Sequence, residues 1–249
     1  SLLKVVEEEL SKRGMGLIFA IYKEEEDLPP MLKERAVDGI FVTGRVTQEV
    51  ITKVQEVNVP FVVLGKMADK ECEVNQVQTD VRRDIFSVYD YLIRLGHKEI
   101  AYISDYKEKI LLDDATEACK GAYEKYGLAP RTHLLRLKVE EPYGVINEVI
   151  EKHPEVTAFI IQSIFVGPFT HLAREKGLDI PEKASVVMFN DESLDDYQRR
   201  YFTYSPGGTK AMGKEGVKSL IKLSRDKVEE INITILNRLN EGETTKNIN

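Results

Sequence analysis

The run TDVRRDIFSVYDYLIRLGHKEIAYIS, residues 79–104, decides the fold class. Asp80 stands where a carboxylate caps a helix, because its oxygen can accept a backbone N–H that has no partner within the helix. Ile85, Val88, Tyr89, Leu92 and Leu95 then recur at helical spacing, so one face is apolar. Gly96 can take the left-handed conformation that ends a helix, and Ile100-Ala101-Tyr102-Ile103 follows as an unbroken apolar strand. A strand apolar on both faces belongs to a sheet covered on both faces, as parallel sheets are. His97 is read as packing or capping this helix-to-strand turn.

The alternation extends outward in both directions. Upstream, Leu2 to Arg13 reads as an amphipathic helix ended by Gly14, and Met15 to Tyr22 (MGLIFAIY) as a buried strand. A helix centred on Met31-Leu32, the strand Asp38 to Val42, the helix Gln48 to Val57 and the strand Phe61 to Leu64 follow, then an irregular polar stretch. Downstream come helix Ala115 to Tyr126, strand Leu134 to Val139, helix Tyr143 to Lys152 and strand Thr157 to Ile161. Helix Phe165 to Lys176, strand Ser185 to Phe189 and helix Thr209 to Leu223 complete the pattern. Short apolar strands between helices predict an α/β fold with mostly parallel sheets flanked by helices.

The 249 residues suffice for two lobes, and the net charge of −7 disfavours phosphate backbones, so the chain is not expected to hold DNA by itself. No apolar run approaches a membrane helix and no leader peptide is read at the start. Cys72 and Cys119 lie far apart with no CxxC and no histidine at ligand spacing, which points to a cytoplasmic protein without structural zinc.

Motifs that carry chemistry are scarce. Gly208 to Lys214 matches the G-x4-G-K core of a phosphate-binding loop, but Glu215 stands where a magnesium-ligating Ser or Thr belongs, so a helix start is the better reading. Gly14-Met15-Gly16 lacks the third glycine of a dinucleotide fingerprint. Asp113-Asp114 and Asp195-Asp196 are adjacent in sequence and would diverge rather than converge on a substrate. His133, His153 and His171 accompany no nucleophile pattern. No catalytic residue, cofactor or metal is assigned.

The segment at 79–104, together with PEKASVVMFND at Pro181 to Asp191, closely resembles effector-binding domains of LacI/GalR-type regulators. The second run resembles that family's P-x-D-x-S-V-x-G-F-D-D strand, and Met212-Gly213 matches its Met-Gly helix. The resemblance covers almost the whole chain from Leu2 onward. It implies a periplasmic-binding-protein-like type I fold of two Rossmann-like lobes with a ligand cleft between them. The implied lobes are residues 1–104 with 206–231, and 105–205 with 232–249. It also implies a helix-turn-helix headpiece and a first strand ahead of Leu2, so the sequence is expected to begin inside a longer protein.

By the same resemblance the effector is contacted by Asn190, Gln162, Phe165, Asp105, Tyr106 and Asp191, at the carboxyl ends of parallel strands. Three usually charged positions are neutral here. Asn190 replaces an Asp, Gln162 replaces an Asp in the turn Ile161 to Gly167, and Ala118 replaces an Arg three residues before Gly121. The site is therefore expected to be more neutral than an ordinary sugar site. The function implied is a sensor without enzymatic activity that binds a small metabolite, a sugar or sugar derivative, and forms a homodimer. Its operator DNA is met only through the headpiece of the full-length protein, with no membrane partner. The alternative is a solute-binding protein of a sugar transporter, against which the LGHKEIAYI run and Ile235-Leu236-Asn237-Arg238 argue, because both resemble regulators.

Overall fold

The computed structural model describes every residue except 24, 35, 69–72, 106–108, 131, 137–140, 191–193 and 227–229. In chain order its elements are α1 (Leu2–Ser11), α2 (Pro30–Lys33), β1 (Ile40–Thr43), α3 (Gln48–Glu56), β2 (Phe61–Leu64), β3 (Gln76–Thr79), α4 (Val81–Arg94) and β4 (Ile100–Ser104). Then come α5 (Lys109–Lys125), β5 (Thr132–Arg136), α6 (Pro142–Lys152), β6 (Ala158–Gln162), a 3-10 turn (Ser163–Phe165), α7 (Val166–Glu175) and β7 (Ser185–Phe189). Last are α8 (Asp196–Tyr201), β8 (Thr203–Ser205), α9 (Thr209–Asp226) and β9 (Asn232–Ile235).

The elements sort into two units, Ser1–Thr79 with Gly208–Leu236, and Asp80–Gly207 with Asn237–Asn249. Each holds one parallel sheet, in the order β1-β2-β3-β9 in the first and β5-β4-β6-β7-β8 in the second. The α/β class with two parallel-sheet lobes holds. The expected boundary at residue 104 does not, because β4 is the second strand of the second sheet and α4 packs along α5. β9 likewise lies in the first sheet beside β3, so the last crossing falls after Leu236 rather than within 231–234.

The segment at 79–104 forms as its chemistry dictates. The Asp80 carboxylate accepts the Arg83 N–H at 2.9 Å, Gly96 turns at φ +100°, and all of Ile100 to Ser104 is buried. The second unit's core has a layer on each face of its sheet. One layer contains Tyr89, Leu92, Tyr102, Ala118, Cys119 and Tyr123; the other contains Phe159, Ile161, Phe169 and Val186. Side chains of alternate parity along β4 and β6 thus enter opposite layers, which is what an apolar run in a double-sided sheet requires.

In the first unit Gly213 of the G-x4-G-K run, and Gly216 just after it, are packing surfaces of α9. Gly213 lies in α9 against Val5 of α1, where an added methyl would come within 2.8 Å of the valine side chain. Gly216 is pressed in the same way by Leu64 of β2. The run is therefore helix and not a phosphate loop.

Met15 to Tyr22, expected as a buried strand, forms none. Ile18, Phe19 and Ile21 are 62%, 58% and 78% exposed. An apolar strand is buried only when a ladder partner and a covering layer exist, and β1, the outermost strand of the first sheet, pairs only with β2 among the described residues. Only the ends of the run are packed, with Met15 and Leu17 against the α1–α9 layer and Tyr22 near α3.

Candidate functional site

In a parallel sheet every strand ends on the same edge, and in open α/β sheets ligands bind just outside that edge. The register of the second sheet sets Arg136, Ser104, Gln162, Phe189 and Ser205 in a row across its five strands. Up to this row β4, β6 and β7 are apolar almost throughout; at it the sequence turns polar. Ser104, Gln162, Ser163 and Ser205 are buried all the same, between 1% and 6% exposed. Buried polar groups must be hydrogen-bonded, and here the bonds join neighbouring strand exits. Gln162 Oε1 accepts the Asp105 N–H at 2.8 Å, and the Asn190 N–H donates to Ser205 O at 2.9 Å.

The candidate residues meet this edge unequally. Asn190 stands directly past β7, half-buried and left-handed at φ +65°, a conformation asparagine tolerates better than most residues. Its side-chain amide lies over Gly207, beyond β8. Asp105 is half-buried at the β4 exit. Gln162 is at the edge, but its carbonyl oxygen is engaged by the frame, so its first role is to position Asp105. Phe165, expected at the wall, is buried. The 3-10 turn after β6 aims it inward, where it is 2% exposed in the layer with Phe159 and Phe169, and leaves Ile164 outward at 46%. Tyr106 and Asp191 lie outside the described residues. Ala118 is 1% exposed in the layer shared by α4 and α5, so its smallness serves packing.

Sequence reasoning missed Ser104, Ser163 and Ser205 as members of this edge. A serine closing or following an apolar strand was the available signal for Ser104 and Ser163, at the ends of β4 and β6; β8 is too short and polar to give one for Ser205.

Two titratable groups lie away from the edge. His97 is 1% exposed at the opposite, amino ends of the strands, with Nδ1 2.9 Å from Thr157 Oγ1 and Nε2 2.9 Å from Ser185 Oγ and 3.2 Å from Lys246 O. Burial holds its pKa below the ordinary value, partly offset by the Lys246 carbonyl. Ser185 is itself 0% exposed and accepts the Lys246 N–H, so this Ser–His contact is structural and sealed from substrate. Asp84, 4% exposed on α4, accepts a hydrogen bond from Asn237 Nδ2 at 2.7 Å. Burial pushes its carboxyl up to about 6, against the lowering effect of that bond. Among the described residues no group of His, Cys, Asp and Glu is placed to hold a metal ion, and no helix is long and apolar enough to cross a membrane.

The described side chains around this edge offer hydroxyl, amide and carboxylate functions, suited to hydrogen-bonding a small polar molecule. The model of the periplasmic binding protein-like domain matches residues 89–245. Catabolite control protein A of Staphylococcus aureus strain Mu50 is 25% identical over 230 residues, covering 90% of this chain and 69% of that protein. The HTH-type transcriptional regulator RegA of Clostridium saccharobutylicum is 28% identical over 233 residues, with the same coverages of 90% and 69%. Among solved structures, a LacI family transcriptional regulator from Enterococcus faecium with bound ribose superposes with a TM-score of 0.82 at 20% identity, covering 100% of this chain and 94% of that one. A complex of the transcriptional regulator CelR with cellobiose gives 0.76 at 19%, covering 98% and 77%.

Proposed function

The chain belongs to the periplasmic binding protein-like family, as the effector-binding domains of LacI/GalR regulators do, and from that premise we propose that it senses a small polyhydroxylated metabolite for a transcriptional regulator. The observation that carries this reading is the row of buried polar residues at the carboxyl edge of the second sheet, with Asn190 and Asp105 just beyond it. Ribose and cellobiose in the similar regulators support a sugar or sugar derivative as ligand class. The neutral Gln162 and Asn190 favour a ligand recognised by paired donors and acceptors rather than by charge.

In this reading the chain is the sensing part of a cytoplasmic homodimer, since two-fold operators call for two-fold proteins. A helix-turn-helix outside these 249 residues reads the operator. The names of the relatives favour the regulator over a transporter's binding protein. The test is thermal melting with a panel of sugars and sugar derivatives, ribose and cellobiose included. A true effector at a hundred times its Kd stabilises by about 2.7 kcal/mol, a rise of roughly 5–10 °C in Tm for a chain of this size. A panel in which no compound raises Tm counts against the reading.

A further inference from the structure

The chain leaves the second unit after Gly207 and enters the first through Gly208, whose φ of +70° turns it into α9. Gly207 itself is not left-handed, so no backbone strain obliges it to be glycine. The obligation is steric. A methyl group there would stand 2.5 Å from Oδ1, 2.8 Å from Cγ and 3.2 Å from Nδ2 of Asn190. The Asn190 amide therefore occupies the space that a side chain at 207 would need. Asn190 has little freedom to move away, because its left-handed backbone is fixed by the N–H bond to Ser205 O, two residues before Gly207.

We propose that Asn190 is a positioning residue for this crossover: its amide holds the Gly207–Gly208 passage, and a ligand that engages the amide at the β7 edge acts on the passage through that contact. This rests on the effector reading above and adds how occupancy leaves the site. Close-packed groups transmit sub-ångström shifts because no void absorbs them, and the space above Gly207 is filled by the Asn190 amide itself. The other crossovers are also held by polar side chains of the second unit. Asp80 caps α4 where the chain enters that unit, and Asp84 binds Asn237 where it returns.

A double-mutant cycle on the ligand-free protein tests the contact, with Tm and hydrogen exchange of the 206–209 amides as readouts. Gly207→Ala should lower Tm by roughly 3–10 °C through the clash with Asn190. Asn190→Gly, which also relieves a left-handed residue, should not lower Tm but should speed exchange at 206–209 without affecting β4. The double variant should melt with Asn190→Gly, showing that the methyl is harmful only while the amide is present. A double variant that melts as low as Gly207→Ala, or unaltered exchange at 206–209 in Asn190→Gly, overturns the proposal. No ligand enters this cycle, so its failure leaves the effector reading standing, whereas a silent sugar panel overturns that reading and leaves the contact intact.

Discussion

Asp84 and His97 are buried groups whose titration pulls stability in opposite directions. The folded Asp84 carboxyl sits at about 6, above its ordinary value of 3.8, so the fold prefers it protonated. Its contribution is complete below pH 4 and is lost as pH rises through 6, a difference of about 3 kcal/mol at most. Asp84→Asn keeps a partner for Asn237 without the charge. It should be more stable than the parent at pH 8, with the advantage fading toward pH 4; thermal melts of both proteins across that range check it, and a variant less stable at pH 8 contradicts it. His97 is held below its ordinary 6.5, so the folded protein resists the proton that the unfolded chain accepts, and stability falls as pH drops below 6.5. His97→Ala removes the bonds that tie Thr157, Ser185 and Lys246 together. It should cost about 2–4 kcal/mol in denaturant unfolding at pH 7, and less at pH 5.

At the scale of elements, the packing of α1 and β2 on α9 depends on two glycines. Gly213→Val should overpack the α1 contact and cost about 1–3 kcal/mol in urea unfolding. Ile21→Ser, at a position 78% exposed, should stay within about 0.5 kcal/mol of the parent. The contrast shows what the sequence could disclose. The α4–β4 unit was readable because a cap, a helical period and a terminating glycine are local signals. Met15 to Tyr22 was misread because an apolar run does not reveal whether a ladder partner is present. The strands β3 (QVQT), β8 (TYS) and β9 (NITI) were missed as strands for the converse reason: they are short and half polar, and are strands only because a neighbour pairs with them. At the site, Asn190 was readable as the first polar residue after an apolar strand. The inward turn of Phe165 was not, since an aromatic in a 3-10 turn can face either way until the packing chooses.

At the scale of the whole molecule, the proposed regulator would divide its labour: these residues would sense and pair, and a helix-turn-helix would read DNA. With a net charge of −7 this chain should show no sequence-specific gel shift at physiological salt. It should be a dimer by light scattering at tens of micromolar, a monomer counting against the regulator. The central claim is that the carboxyl edge of the second sheet holds the effector, and Asn190 is its most direct probe. Asn190→Ala would leave a ligand hydroxyl unpaired at a cost of about 1–3 kcal/mol, roughly five- to a hundredfold in affinity. The deciding measurement is isothermal titration calorimetry of parent and Asn190→Ala with the sugar that most raises Tm. The expected result is a Kd weakened by that factor in a variant that remains folded; an unchanged Kd in the folded variant would contradict the assignment of this edge as the effector site.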